Sequence, residues 1–256
     1  MTDEAAKAVA QLDLQRSSLL RSVTHDLRTP LAAIRAIVTD LYEGIEYDDE
    51  TRTELLQTVC EEVDRLDRLV GNLLSMSRME AGVFEPQHQA IDVHELVRHR
   101  LKALALLLRE ITVVADIEPG VSLADGDYGQ IEEVLTNLLG NAVRHVPPGS
   151  KVIVRARVLP IDIAAGEEFV EIAVIDHGPG IPAEWRHRLF EPFQKGPNSR
   201  STGLGLAICK GIVTAHRGTI RIDETPGGGA TVVFTIPARR SIDHTESAIV
   251  VSEGEG

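Results

Sequence analysis

Aromatic side chains are scarce, at 4% of 256 residues, so any core must be packed from aliphatic residues. Cysteine is limited to Cys60 and Cys209. Each sits inside an apolar helical pattern, far from the other in sequence. The pair therefore reads as two buried free thiols in a reducing compartment rather than as a disulfide. No apolar run reaches the ~18 residues that a membrane-spanning helix needs, and no signal peptide opens at Met1. These absences point to a cytoplasmic chain, or to the cytoplasmic portion of a membrane-anchored protein whose membrane region lies elsewhere. There is no long basic run and the formal net charge is −13, which argues against nucleic acid as a direct partner. His88, His94, His99, His187, His216 and His244 fall at no ligand spacing, so a structural zinc site is not expected.

What is present is ordinary for a globular protein: 43% hydrophobic and 25% charged residues. The length allows one large domain or two small ones, and the hydrophobic spacing favours two. Residues 4–43 read as one long helix, with Leu20, Val23, Leu27, Leu31, Ile34, Val38 and Leu41 three and four apart. A second helix over residues 50–79 carries the stripe Leu56, Val59, Val63, Leu66, Val70 and Leu73. The connection Glu43-Gly44-Ile45-Glu46-Tyr47-Asp48-Asp49 is short and polar, which makes the two helices an antiparallel hairpin. A lone hairpin leaves both stripes uncovered, so two copies are expected to pair into a four-helix bundle.

Residues 81–90, with Gly82 and Pro86, read as a linker. Beyond them the pattern mixes helix and strand. The spacing predicts a helix over 92–109, a strand at Ile111–Ile117 and a helix from Tyr128 to Val146, stopped by Pro147-Pro148-Gly149. Strands follow at Lys151–Leu159 and Phe169–Ile175, then a loop-rich stretch and a helix from Gly203 to His216. Thr219–Asp223 and Ala230–Ile236 close the pattern as a hairpin around Gly227-Gly228-Gly229. Residues 239–256 are polar and rich in Gly and Glu, and read as a disordered tail. The chain thus divides into 1–80, a linker at 81–90, 91–238, and the tail.

At 100° per residue, His25 lies roughly 160° from the centre of its helix's apolar stripe and faces solvent, with Thr29 one turn further along the same face. A neutral imidazole is a good nucleophile for phosphorus, and the adjacent Asp26 can hold the proton-bearing nitrogen while the other attacks. Pro30 withholds the amide that would bond to the Asp26 carbonyl, so the helix is expected to bend there. The string His25-Asp26-Leu27-Arg28-Thr29-Pro30-Leu31 resembles the H-box of the sensor histidine kinases of two-component systems. Residues 17–238 resemble their dimerisation and phosphotransfer hairpin (HisKA) followed by their ATP-binding domain (HATPase). The resemblance implies that His25 is the phosphoacceptor and that Asp26 assists the kinase chemistry. It also implies that Thr29 helps position water in the reverse, phosphatase reaction on the partner.

Glu133, Asn137, Asn141 and His145 are spaced by four and share one face of a predicted helix. Carboxamides one turn apart can offer oxygens to a hydrated magnesium ion and amides to phosphates. The stretch resembles the family's N-box, which implies Asn141 on Mg2+ with Asn137 and Arg144 near the phosphates of ATP. Glu133 departs from the family's usual Gln. Asp176-His177-Gly178-Pro179-Gly180 follows a strand. A carboxylate there can accept from an adenine amino group, and Gly178 and Gly180 let backbone approach the base. This resembles the G1 box and implies that Asp176 reads adenine, with His177 replacing the common Asn. Phe190-Glu191-Pro192-Phe193 resembles the F-box. Gly203-Leu204-Gly205 opens a helix whose N-terminal amides suit phosphate and resembles the G2 box. Lys195 and Arg200 lie between these two motifs, in the expected ATP lid, where either can reach a phosphate.

The fold expected is α+β: an antiparallel helical hairpin dimerising into a four-helix bundle, then an α/β sandwich (Bergerat-type) ATP-binding domain. The function expected is autophosphorylation of His25 from Mg-ATP and transfer to an aspartate of a response regulator, with phosphatase activity too. Within the family, the stretches Leu19–Leu31 and Arg68–Arg78 most resemble the kinase core of potassium-responsive KdpD-type sensors. The competing readings are a nucleotide-binding scaffold or pseudokinase of the same fold, and an ATPase of the gyrase and chaperone superfamily. His25 within a full H-box, with Asn141 and Asp176 intact, argues against both.

Overall fold

The computed structural model of the chain describes residues 23–24, 26–80, 85–121, 123–159, 168–196 and 203–239. His25, residues 4–22 of the expected first helix, Arg200 and residues 240–256 lie outside them.

The described part of the first helix, α1, covers 23–24 and 26–42. Gly44 follows at φ +78°, a conformation an L side chain resists. The second helix, α2, is Asp49–Glu80. Its start is fixed by Asp48, whose carboxylate accepts from the Thr51 amide and hydroxyl, both at 2.8 Å. Those bonds lower the Asp48 pKa. Asp49 and Glu50 in the first turn and Arg78 in the last complement the helix dipole. Across the connection, Tyr47 donates to Asp40 Oδ2 at 3.0 Å.

Within one chain the hairpin's apolar stripe is left half open. Leu31, Val38, Leu56, Val63 and Val70 are 47–53% exposed. The C-terminal part of α2 is covered by the following unit, with Leu69 buried and the stripe residue Leu73 and Met76 packed against that unit's core. Cys60, expected to be buried, is exposed. It falls one residue past Val59, about 100° round the helix and off the centre of the stripe, so helical patterning alone does not bury it. Cys209 is buried as expected, and burial raises its thiol pKa.

The α/β unit comprises β1 (Gln89–Asp92), α3 (Val93–Ala103), β2 (Thr112–Ile117), β3 (Leu123–Gly126), α4 (Tyr128–His145), β4 (Lys151–Leu159) and β5 (Phe169–Ile175). It continues with α5 (Ala183–Arg186), a 3-10 turn (Arg188–Phe190), α6 (Gly205–Ala215), β6 (Ile220–Glu224) and β7 (Ala230–Pro237). Five strands form one sheet in the order β2-β4-β5-β7-β6, with β2 and β4 parallel and the rest antiparallel. The short strands β1 and β3 pair separately.

Alternation along β5 explains the two layers. Val170, Ile172 and Val174 join the main core with Leu135, Leu138 and Leu139 of α4 and Ile208 and Ile212 of α6. The intervening residues face the other side, where Ala173, Ile175 and Val233 form a small separate cluster. There Glu171 is buried between Arg157 of β4 (2.7 Å) and Arg221 of β6 (3.0 Å), so its charge is paired from both sides along the sheet.

Three local expectations change. The helix predicted over 92–109 ends at Ala103, where the Leu104 amide bonds back to Arg100. The leucine-rich run favours helix, but the chain must turn to place Thr112 beside Lys151 at the start of the β2–β4 ladder. The linker read over 81–90 gives up Gln89 and Ala90 to β1, opposite Gly126 and Asp125. The loop-rich stretch before Gly203 contains α5 and the 3-10 turn.

The start of α4 is fixed twice over. Asp127 caps it, accepting from the Gln130 amide at 3.1 Å. The Asp127 amide donates to His216 Nε2 at 2.9 Å, and His216 Nδ1 lies 2.8 Å from the Ile212 carbonyl. The ring must therefore be neutral and carry its proton on Nδ1. It is fully buried, and desolvation lowers its pKa. Gly126 makes room for it, since a Cβ there would stand 2.8 Å from the ring.

Candidate active site

Asp176 leaves the end of β5 and is buried. Its Oδ1 accepts from the amides of Gly178 (2.9 Å) and Ala230 (3.1 Å), while its own amide donates to the Ala230 carbonyl at 2.9 Å. The carboxylate is thereby held in one rotation by backbone from the β6–β7 hairpin. Its Oδ2 is left as the oxygen able to accept from a ligand. The backbone closes tightly around it. A Cβ on Gly178 would lie 2.7 Å from the His145 carbonyl at the end of α4. Gly180, at φ +75°, abuts the Gly229 carbonyl. A Cβ on Gly229 would overlap the Asp176 carbonyl oxygen. His177 turns aside, with Nδ1 3.3 Å from the Lys151 carbonyl, which explains why a histidine fits where the family usually has Asn.

The polar face of α4 runs toward the start of α6. Ile131, Val134, Leu135, Leu138, Leu139 and Ala142 are buried on its other side. A Cβ on Gly205 would stand 3.3 Å from Asn137 Oδ1, so Asn137 sits directly beside the α6 N-terminus. The cap residue of that terminus, Leu204, has an apolar side chain that offers no acceptor to the first amides, an arrangement that suits an anion. Asn141 Oδ1 accepts from Arg144 Nη2 at 2.6 Å. Desolvation first, and the charge of Arg68 second, lower the Arg144 pKa. Desolvation also lowers that of His145, with Arg144 acting in the same direction and Asp176 opposing. Glu133 accepts from Ser75 Oγ of α2 at 2.8 Å, which assigns it a contact with the hairpin.

Phe190 and Leu189 are buried anchors. The Phe193 amide donates to the Gly203 carbonyl at 2.9 Å, and Gly203, at φ +71°, packs against the backbone of Phe193 and Gln194. Lys195 follows, and its Nζ donates to Asp26 Oδ2 on α1 at 2.8 Å. Thr29 is exposed on α1.

The structure thus gathers Asn137, Asn141, Arg144, Asp176, Gly178, Gly180, Gly203 and Gly205 along α4 and the loops that flank it, and sets Lys195 at Asp26. Sequence reading missed Ala230, whose backbone holds Asp176, Gly229, which abuts the Asp176 carbonyl, and Ser75. The glycine triplet was visible as a turn, but nothing local tied it to a carboxylate so much earlier in the chain. Among the described residues no three His, Cys, Asp or Glu side chains converge on a metal position.

This geometry defines a nucleotide-binding α/β unit docked on a helical hairpin. Residues 126–240 match the family model of the histidine kinase-, DNA gyrase B- and HSP90-like ATPase, and residues 15–82 that of the His Kinase A (phospho-acceptor) domain. Over 241 residues the chain is 39% identical to the sensor protein KdpD of Mycobacterium tuberculosis, covering 91% of this chain and 27% of that one. It is 35% identical to the probable sensor histidine kinase TcrY of the same species, covering 89% and 48%. The Acinetobacter baumannii histidine kinase AdeS superposes with a TM-score of 0.64 at 26% identity, over 84% of this chain and 98% of that one. The chain belongs to the sensor histidine kinases, and it spans about a quarter of the length of KdpD. Among the described residues no helix is long and apolar enough to cross a membrane.

Proposed function

We propose that this chain is the cytoplasmic catalytic core of a two-component sensor kinase, in which residues 1–80 dimerise and carry the phosphoacceptor His25 and residues 91–238 bind ATP. The observation that carries the reading is Asp176, fixed by two backbone amides with one oxygen left over, at one end of a helix face that carries Asn137 and Asn141. Asp176 accepts from the adenine amino group, and Gly178 and Gly180 admit the base. Asn137, Arg144 and the N-terminal amides at Gly203 and Gly205 meet the phosphates. Mg2+ would be held by Asn141 and the phosphates and would neutralise charge that develops as the γ-phosphoryl group moves.

An imidazole nitrogen of His25 forms the new bond to the γ-phosphorus, and the bond to ADP breaks, ADP leaving with the electron pair. The ring's other nitrogen keeps its proton, and Asp26 offsets the positive charge that the ring acquires. The phosphoryl group then passes to an aspartate of a response regulator receiver domain. Thr29, one turn along the exposed face, orients water for the reverse dephosphorylation. The half-exposed stripe from Leu31 to Val70 supports a homodimer.

Incorporation of γ-labelled phosphate tests the reading. Wild type should label in Mg-ATP, while Asn141→Ala should lose the magnesium-dependent label. Asp176→Asn should shift the competition between ATP and GTP. Nucleotide binding without any label in wild type would mark a scaffold instead.

A further inference from the structure

Polar contacts join the hairpin and the α/β unit within one chain. Ser75 on α2 donates to Glu133 on α4, and Lys195 donates to Asp26 on α1. Around Ser75 on α2 lies an apolar seam, with Leu69 buried and Leu73 and Met76 packed against the core. The seam fixes how the α/β unit approaches, and Lys195 is well placed to use that fixity. It lies two residues after Phe193, whose amide is bonded to Gly203, and five after the buried Phe190. The Asp26 side chain is 14% exposed and that of Lys195 31%, so the pair is sheltered from solvent far more than a surface ion pair.

We propose that Lys195 is a positioning residue for Asp26, and that docking of the α/β unit orients the acid beside the phosphoacceptor. This rests on the reading of His25 given above. Lys195 holds Oδ2, which fixes the rotation of the carboxylate next in sequence to the phosphoacceptor. Lys195 thus acts on the rate of transfer to His25 rather than on the affinity for ATP. A lysine that merely held phosphate would do the reverse.

The test is a double-mutant cycle on the full chain, with ATP dissociation constants measured directly alongside autophosphorylation rates at saturating Mg-ATP. Lys195→Met should lower the rate by about tenfold or more while the ATP dissociation constant stays within about twofold. Lys195→Arg should restore the rate to within about threefold, since a guanidinium can also hold one carboxylate oxygen. In the Asp26→Asn background the further loss from Lys195→Met should shrink to less than about twofold, because the interaction it removes is already gone. A weakened ATP dissociation constant with an unchanged saturating rate, or losses that multiply across the two sites, would overturn the positioning role while leaving His25 labelling in wild type intact. Absence of label on His25 in wild type would overturn the kinase reading, and the proposal with it.

Discussion

Two glycines of the β6–β7 hairpin offer a matched perturbation. Gly227 and Gly229 both have positive φ, at +90° and +114°, so alanine at either costs about 1–3 kcal/mol in backbone conformation. Around Gly227 a Cβ would meet nothing within 4 Å. At Gly229 it would overlap the Asp176 carbonyl oxygen and stand 2.7 Å from His177 Cα, so the ends of β5 and β7 must part. That separation breaks the bond from the Asp176 amide to the Ala230 carbonyl and the bond from the Ala230 amide to Asp176 Oδ1. A neutral bond is worth about 1 kcal/mol and one to a carboxylate about 1.5–3, so with the backbone cost Gly229→Ala should lose about 3.5–7 kcal/mol in all. At about 2–4 °C per kcal/mol, its melting temperature should fall by about 7–28 °C and that of Gly227→Ala by about 2–12 °C. ATP binding should weaken in Gly229→Ala and hold in Gly227→Ala, because only the first releases Asp176. Thermal unfolding monitored by fluorescence, with titration of a fluorescent ATP analogue, reads both. Equal melting temperatures and equal affinities in the two variants would refute the claim that this hairpin braces the carboxylate.

Stability should also fall in mild acid through His216. Its folded pKa is lowered by burial, with His88 acting in the same direction, while the Ile212 carbonyl bond, Asp127 and Asp125 oppose. The unfolded chain therefore binds the proton first. The stabilisation is complete above the ordinary histidine pKa of about 6.5 and is lost as pH falls below it. Urea midpoints between pH 5 and 8 should show the loss in wild type, and a flatter profile in His216→Gln. The chain should be a dimer at micromolar concentration by light scattering, and Val63→Glu, which places a charge in the half-exposed stripe, should shift it toward monomer. A stable wild-type monomer would remove the bundle.

Where apolar periodicity and stop signals coincide, the fold was readable before any coordinates. α4 begins after Asp127 and ends at His145, just before Pro147-Pro148-Gly149, and β4 and β5 fall where β-branched alternation placed them. β1 and β3 were not readable, because each has four residues and only Ile91 in β1 is buried. Period-two alternation has nothing to register over that length. The end of α3 was misplaced because Leu104, Leu106 and Leu107 are good helix formers, and a tertiary requirement, the pairing of Thr112 with Lys151, overrode them. The residue types of the nucleotide pocket were legible as motifs, while their bracing was not. Ala230 reaches Asp176 across 54 positions and Lys195 reaches Asp26 across 169. No local pattern encodes a contact at such separation. Glu133 illustrates the same limit, since its partner Ser75 lies on the other structural unit.

The central claim is that ATP phosphorylates one named side chain, and mapping the label tests it most directly. Wild type and His25→Gln are incubated with γ-labelled Mg-ATP, and the label is followed through acid and alkali and then located by peptide mass spectrometry. Phosphate should appear on His25 in wild type, acid-labile and alkali-stable, and His25→Gln should take up none. Label incorporated by His25→Gln at the wild-type rate, or an acid-stable phosphate on another residue, would contradict the account.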